Sequence, residues 1–142
     1  MAIELPISFS GIVRPGVQRG RQLGFPTANI EVAVEVAGQL PRGVFSTRVR
    51  WEGGYPYWAV TNIGTRPTFE PGALSIEAHL LDFSGDLYGL TLEVELLRQL
   101  RGEKRFATVT ELVAQIGRDI AETRKLFNNV DIANAMEVKI GA

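Results

Sequence analysis

Short segments that alternate between apolar and polar residues occupy most of positions 1 to 100, and glycine and proline separate them. The clearest is Leu74–Leu80, where apolar side chains fill one face and Ser75, Glu77 and His79 fill the other. Because successive side chains of a strand point to opposite sides, this period of two predicts half-buried strands. Several such strands joined by Gly/Pro turns indicate an antiparallel barrel or sandwich, and closure into a barrel would remove exposed sheet edges.

Two of the segments predict a β-hairpin. Val44–Trp51 alternates, Glu52–Gly54 supplies a turn, and a second apolar-rich strand runs from Tyr57 to Ile63. This arrangement is typical of a hairpin with a glycine-containing connection. After the turn Phe83–Asp86, the segment Leu90–Leu96 alternates again and predicts a further strand.

The period changes in the last third of the chain. Thr108 and Glu111 match a capping box, in which Thr108 caps a helix and Glu111 returns to the Thr108 amide. Helical spacing then relates Leu112, Val113, Ile116, Ile120 and Phe127. We therefore expect an amphipathic helix over about residues 109 to 127, and we leave 128–142 unassigned within a single domain of residues 1–142.

Bulk properties narrow the classes of partner. The length of 142 residues fits one domain, and the net charge of −1 gives no electrostatic reason to expect nucleic acid or a membrane surface as a partner. Cysteine is absent, which excludes disulfides, thiolate metal sites and a cysteine nucleophile. No signal peptide is evident, and no apolar run approaches the roughly 20 residues that span a bilayer. We therefore expect a soluble cytoplasmic protein.

A glycine-rich segment, Gly11–Gly24, runs into the sequence Pro26-Thr27-Ala28-Asn29. Glycines allow tight bends, and consecutive amides in such bends can hold phosphate oxygens. The oxygens of Thr27 and Asn29 are hard ligands that suit a magnesium ion beside a phosphate. The segment therefore indicates a nucleotide phosphate cradle with a metal at its edge. A series of tight turns is the alternative, because the spacing fits neither a Walker A loop nor a dinucleotide fingerprint.

Two strand residues are candidates for chemistry. Glu77 lies mid-strand opposite apolar residues and would act as a general base if a reacting hydroxyl came near it, whereas a solvated strand face is the alternative. His79 is the only histidine and has no partner motif. An orienting or structural role for His79 is therefore favoured over proton transfer.

Two loops carry further candidates. Asn62–Phe69 is bounded by glycine and proline, and Arg66 within it would engage phosphate or would simply be solvated on a rigid loop. Leu100–Phe106 is a charged connection to the helix. Its last residue, Phe106, would either staple the helix or line a ligand pocket.

Six motifs, in this order along the chain, resemble the riboflavin kinase family, including the kinase module of bacterial bifunctional riboflavin kinase/FAD synthetases. They are Gly20–Asn29, Pro41–Phe45, Asn62–Phe69, Ile76–Phe83, Asp86–Gly89 and Leu100–Phe106. The resemblance covers roughly residues 8 to 125. It implies a mainly β fold, a six-stranded antiparallel Greek-key barrel with a C-terminal α-helix packed on it.

The same resemblance implies a reaction and a site. The γ-phosphoryl group of ATP would pass to the 5′-hydroxyl of riboflavin, giving FMN and ADP. Glu77 falls on the position of the catalytic base, and Thr27 and Asn29 fall on the pair that holds Mg²⁺ and the nucleotide phosphates. The nucleotide-binding residues would be Gly16, Gly20, Arg21, Gly24, Thr27 and Asn29, with the loop from Gly11 to Gly24 as a flap over ATP. The flavin would contact Arg101, Glu103 and Phe106, and Asn62 and Arg66 are phosphate or loop candidates.

Bacterial relatives usually carry an N-terminal adenylyltransferase domain that makes FAD. Here the first strand is expected almost at Met1, so we expect that domain and its activity to be absent. Two other functions stay open. One is a non-catalytic flavin- or nucleotide-binding barrel with a regulatory role, and the other is an interaction domain whose contact surface is the segment 129–142.

Overall fold

The computed structural model describes residues 3–15, 24–65 and 74–127, and these ranges contain six strands and two helices. The elements in chain order are β1 (Ile7–Arg14), β2 (Ala28–Glu31), α1 (Val34–Ala37), β3 (Gly43–Arg50), β4 (Tyr57–Thr65), β5 (Leu74–Leu80), β6 (Thr91–Arg101) and α2 (Val109–Leu126). The predicted hairpin, the strand at β5 and the C-terminal helix are confirmed. Within the described ranges, neither helix is long and apolar enough to cross a lipid bilayer.

The strands close into a barrel in the order β1-β2-β5-β4-β3-β6, and all neighbouring strands are antiparallel. The strands β3, β4 and β5 are neighbours in chain order, and β6 then returns to lie beside β3. This is the Greek-key order. The expected six-stranded antiparallel Greek-key barrel with a C-terminal helix is therefore confirmed.

The core fills the inside of the barrel. Its largest fully buried apolar side chains are Phe45, Ile63, Ile76, Leu92, Leu96, Val49 and Val94. Two buried threonines lie among them. Thr47 Oγ1 donates to the carbonyl of Ala59 at 3.1 Å and lies 2.8 Å from Thr61 Oγ1. Thr61 therefore donates to Thr47, and both hydroxyl groups have hydrogen-bond partners in an otherwise apolar interior.

Helix α2 covers part of the outer face of the barrel. Ser46 and Arg48 lie on the polar face that alternation assigns to β3, yet both are buried. Ser46 Oγ lies 2.7 Å from Thr123 Oγ1 of α2, and Arg48 forms an ion pair with Glu95 of β6. The strand β3 is therefore buried on both faces over most of its length. The barrel interior covers one face, and α2 covers the other at Ser46.

Both ends of α2 are held by side chains. The hydroxyl of Thr108 accepts a hydrogen bond from the Glu111 amide at 3.1 Å, which confirms the predicted N-cap. The Glu111 carboxylate accepts from the Ala107 amide at 3.1 Å, one residue earlier than the Thr108 amide that the capping box predicts. At the other end, the Phe127 ring stacks on Trp58 of β4 with ring centroids 3.7 Å apart.

Two boundaries differ from the expectation. The predicted flap does not begin at Gly11, because β1 continues to Arg14. A Cβ atom at Gly11 would lie 2.5 Å from Ile30 Cγ2 and 2.6 Å from the Glu31 carbonyl, so the missing side chain allows β1 and β2 to approach closely. The strand β6 extends to Arg101, which therefore belongs to the sheet and not to the connection before the helix.

Candidate active site

A row of polar side chains crosses three strands on the outer surface of the barrel. Glu77 of β5 is paired with Asn29 of β2 on one side and with Asn62 of β4 on the other. Directly opposed residues of antiparallel strands project from the same face, with Cβ atoms about 5 Å apart. The neighbours of Glu77 in the strand, Ile76 and Ala78, are buried in the core, so Glu77 faces outwards. The row brings one carboxylate and two amides from separate candidate motifs together.

Thr27 adds a hydroxyl group to this row. Its Oγ1 atom donates a hydrogen bond to Glu77 Oε1 at 3.1 Å. Asn29 Nδ2 donates to the carbonyl of Pro15 at 3.5 Å, at the end of β1. Thr27 is exposed and Glu77 is half-buried, so a ligand in solvent has access to both. The candidate metal ligands and the candidate base therefore lie in direct contact.

The oxygens of this site suit a magnesium ion in chemical type. They are hydroxyl, amide and carboxylate oxygens, and Mg²⁺ commonly adds substrate phosphates and several waters to one or two protein ligands. Among residues 3–15, 24–65 and 74–127, no group of three or more His, Cys, Asp or Glu side chains is placed to hold a metal ion. A cation bound here would therefore take further oxygens from a phosphate or from water.

His79 lies on the same face as Glu77 and contacts the segment before Thr27. Its Nδ1 atom lies 2.7 Å from the carbonyl oxygen of Pro26. A carbonyl only accepts hydrogen bonds, so Nδ1 carries the hydrogen. The Phe25 ring packs edge-on against the imidazole, with centroids 5.8 Å apart and an interplanar angle of 88°. The structure thus supplies the partner that the sequence did not identify for this histidine.

Arg101 joins β6 to α2. Its guanidinium donates to both oxygens of Asp119, with an Nη2–Oδ2 distance of 2.9 Å and an Nε–Oδ1 distance of 3.2 Å. Asp119 is only 4% exposed and also accepts from Gln115 Nε2 at 3.0 Å. The Arg101 guanidinium lies 5.6 Å from the centroid of the Phe106 ring. A flavin contact from Arg101 would therefore have to be made by a group that is already held in an ion pair.

The segment after β6 also reaches the strand that carries Asn62. Glu103 Oε1 accepts a hydrogen bond from the backbone amide of Thr65 at 3.2 Å, at the end of β4. Val44 of β3 is paired with Asn62 on one side and with Arg101 on the other. Arg101 therefore lies two strands away from Asn62 in the same cross-strand row, at about 10 Å.

Several predicted site residues lie outside the described residues, namely Gly16, Gly20, Arg21 and Arg66. Gly24 is described and has a φ of 90°, a backbone conformation that favours glycine. Of the remaining candidates, the structure brings Thr27, Asn29, Asn62 and Glu77 together. It places Arg101 and Phe106 farther along the barrel surface, beside each other.

Sequence reasoning missed Asp119 as an organising residue, although a signal was available. Asp119 lies three residues after Ile116, and Thr123 lies three residues after Ile120, so both positions belong to the face of α2 that packs on the barrel. Polar residues at core-facing helical positions need buried partners. Here Arg101 and Ser46 are those partners.

Residues 3–127 match a protein-family model described as Flavokinase: Riboflavin kinase. The bifunctional riboflavin kinase/FMN adenylyltransferase of Escherichia coli (strain K12) is 43% identical over 122 residues, which cover 86% of this chain and 38% of that relative. The chain thus spans about two fifths of the length of the curated relatives that it matches.

Two solved structures share the fold. Riboflavin kinase from Trypanosoma brucei superposes with a TM-score of 0.67 and 27% identity, covering 90% of this chain and 83% of that chain. A chain from Streptococcus pneumoniae, named a macrolide-efflux protein, superposes with a TM-score of 0.75 and 33% identity. That superposition covers 84% of this chain and 38% of the S. pneumoniae chain.

Proposed function

Because the chain belongs to the riboflavin kinase family, we propose that it transfers the γ-phosphoryl group of ATP to the 5′-hydroxyl of riboflavin, giving FMN and ADP. The observation that carries this proposal is the contact between Thr27 and Glu77 at 3.1 Å, beside the two amides of Asn29 and Asn62. Phosphoryl transfer needs mainly positioning and neutralisation of charge on the phosphate oxygens. A carboxylate beside neutral oxygen ligands meets the further need for a proton acceptor.

Glu77 is the general base in this proposal. The 5′-hydroxyl of riboflavin gives its proton to the Glu77 carboxylate while its oxygen forms a bond to the γ-phosphorus of ATP. The bond from that phosphorus to the β–γ bridging oxygen breaks, and ADP leaves with the electron pair. A base in this position typically contributes about 10² to 10⁴ in rate. The Thr27 hydroxyl holds Oε1 of the carboxylate, which leaves Oε2 to take the proton.

Thr27 and Asn29 would hold Mg²⁺ together with the nucleotide phosphates. Their hydroxyl and amide oxygens fit the ligand type that this ion prefers, and both side chains lie beside the base. When bound, the metal supplies positive charge that balances the charge of the phosphate oxygens. The protein's part is to keep the two oxygens at fixed positions at the start of β2.

The nucleotide and the flavin would approach from different sides of the row. We assign the nucleotide to the glycine-rich segment, with Gly16, Gly20, Arg21 and Gly24 beside the phosphates, because that segment leads directly to Thr27. The flavin would border the segment that follows β6, where Glu103 contacts β4 and where Phe106 offers an aromatic surface. Asn62 lies between the two, next to Glu77. Arg66 follows it by four residues in the sequence and is the proposed phosphate contact of that segment.

The kinase would be a single domain formed by the barrel and α2, and the proposal places it in the cytoplasm, where ATP is supplied. The alternative is a barrel that binds flavin or nucleotide without catalysis. The two functions differ in what they ask of Glu77: a kinase needs its carboxylate to accept a proton, whereas a binding protein needs it at most to accept a hydrogen bond.

The direct test is to incubate the full chain with riboflavin, ATP and Mg²⁺ and to follow FMN and ADP by chromatography. Equal amounts of FMN and ADP are expected, and omission of riboflavin should abolish ADP formation. Absence of FMN across several divalent metals would refute the kinase. Riboflavin fluorescence would then show whether the chain is the binding protein of the alternative.

A further inference from the structure

The β2–β5 ladder ends one residue short of Thr27. The register of these strands pairs Ala28 with Ala78 and Asn29 with Glu77, and it does not extend to Thr27. Proline has no backbone N–H group, so Pro26 cannot donate to a continuing ladder. Thr27 therefore stands between the ladder and a proline, where its position has to be set by other contacts.

The His79 side chain acts at this point. His79 follows Ala78 in β5, so it lies one residue beyond the last ladder pair and opposite the Pro26–Thr27 segment. Its Nδ1–H group donates to the Pro26 carbonyl at 2.7 Å, and its ring packs against Phe25. A side-chain donor thus holds the segment beyond the end of the backbone ladder.

We propose that His79 is a positioning residue, which holds the Pro26 carbonyl and so keeps the Thr27 hydroxyl against Glu77 and against the metal of a Mg²⁺-bound nucleotide. This inference rests on the proposed function, since it names the residue that positions Thr27, one of the proposed metal ligands of that site. The chain of contacts is short. It runs from the imidazole to Pro26, along one peptide bond to Thr27, and from the Thr27 hydroxyl to Glu77.

Two matched substitutions separate the donor from the ring. In His79→Asn the amide nitrogen can take the place of Nδ1, whereas in His79→Gln it lies one bond farther out, near the place of Nε2. Calorimetry gives the dissociation constant of ADP with and without Mg²⁺ for each full-length variant. We expect His79→Gln to weaken Mg²⁺-dependent ADP binding about tenfold or more, as for other residues that orient metal ligands. His79→Asn should stay within about threefold of wild type on the same basis.

Three further measurements separate positioning from general damage. Riboflavin binding, followed by fluorescence, and the thermal midpoint should change little in either variant. In the steady state, His79→Gln should raise KM for MgATP and leave KM for riboflavin nearly unchanged. In a Thr27→Val background, His79→Gln should add almost nothing, because residues that act through one another are not additive. His79→Ala replaces His79→Gln if the latter does not fold, with the same expectation.

Several results would overturn the inference. They are equal losses in His79→Asn and His79→Gln, additive losses in the double variant, and wild-type ADP binding that Mg²⁺ does not strengthen. The binding measurements do not depend on turnover. If the wild type binds MgADP and forms no FMN, the proposed function fails, while the variants still decide the role of His79.

Discussion

Thr27 and Glu77 are 50 residues apart in sequence, and the Thr27 hydroxyl donates to the Glu77 carboxylate at 3.1 Å. This contact links the segment that follows the glycine-rich loop to the middle strand of the polar row. It restrains one carboxylate oxygen, and in the proposed reaction the other oxygen would take the proton of the substrate hydroxyl. Changes at Thr27 should therefore affect the metal and the base together, and changes at Glu77 should affect chiefly the proton transfer.

Glu77→Gln should lower kcat for FMN formation by about 10² to 10⁴, because the amide cannot accept the substrate proton. The amide oxygen can still accept from Thr27, so the dissociation constant of MgADP should change little. Turnover is measured by chromatography and binding by calorimetry. Glu93→Gln makes the same chemical change at an exposed carboxylate of β6 and should leave both values unchanged. Turnover of Glu77→Gln equal to wild type would remove Glu77 from the base role.

Thr27→Val removes the hydroxyl at nearly constant shape, and Thr27→Ser keeps it. We expect Thr27→Val to raise the Mg²⁺ concentration needed for half-maximal activity by about 10-fold to 100-fold, because a metal-facing oxygen is lost. Thr27→Ser should stay close to wild type. The measurement is a Mg²⁺ titration of the initial rate at saturating riboflavin. Identical titration curves for the two variants would contradict the assignment of Thr27.

Asp119→Asn should destabilise the fold by about 3 kcal/mol or more, because removal of one partner leaves the Arg101 charge in a largely buried site. The side chains of Asp119 and Arg101 are both largely buried, with exposed fractions of 5% and 19%. Urea denaturation measures the free energy of unfolding. Arg101→Met combined with Asp119→Leu should recover part of the loss, since it removes both charges. If Asp119→Asn lowered the free energy of unfolding by less than about 1 kcal/mol, the pair would contribute no more than an exposed ion pair does, and the prediction would be wrong.

The exposed ion pair between Arg124 of α2 and Asp82 should contribute a stability that depends on pH. Hydrogen bonds from Arg124 lower the pKa of Asp82 below its ordinary value, and the slight burial of the carboxyl opposes this effect less strongly. The folded state therefore binds the proton less readily than the unfolded state. The stabilisation is complete above the unfolded-state pKa near 3.8 and is lost as the pH falls through the lower folded-state value.

Asp82→Asn should therefore cost at most about 1 kcal/mol at pH 7, because both side chains are largely exposed. The difference from wild type should shrink towards zero on acidification and should be smaller in high salt. Urea denaturation at several pH values measures it. If the difference in the free energy of unfolding grew as the pH fell, the pKa of Asp82 would not be lowered in the folded state.

Local patterns in the sequence predict much of this fold because they report local physics. The alternation in Leu74–Leu80 and the cap at Thr108 both appear as expected. The strand β6 is longer than its alternation predicts, for a local reason. Its register with β3 shifts twice, which leaves Leu97 and Leu100 out of the pairing and interrupts the period of two. Alternation ends at the first such irregularity, and the sequence pattern therefore predicts a strand that ends near Leu96.

The candidate site was predictable only in part. The motifs named Thr27, Asn29 and Glu77, but their contact depends on β2 lying beside β5, a neighbour that the local pattern of neither strand specifies. The ion pair of Arg101 likewise depends on Asp119 in α2. In the sequence, Asp119 is one of several charged residues of a predicted helix, and nothing local marks it as the partner of Arg101. Long-range pairing of this kind follows from the topology of the barrel, and composition does not encode it.

The threonine pair inside the barrel has a consequence for the outside. A shift of β4 by one residue would turn Thr61 out of the barrel interior, because successive side chains of a strand alternate between its faces, and Thr47 would lose this partner. The residue after Thr61 is Asn62, which projects from the opposite face beside Glu77. The hydrogen bond between the two hydroxyl groups therefore favours the observed register of β3 and β4. With Thr61 held inside the barrel, the next side chain of β4 has to project outwards, and there the pairing of β4 with β5 places Asn62 beside the Glu77 carboxylate.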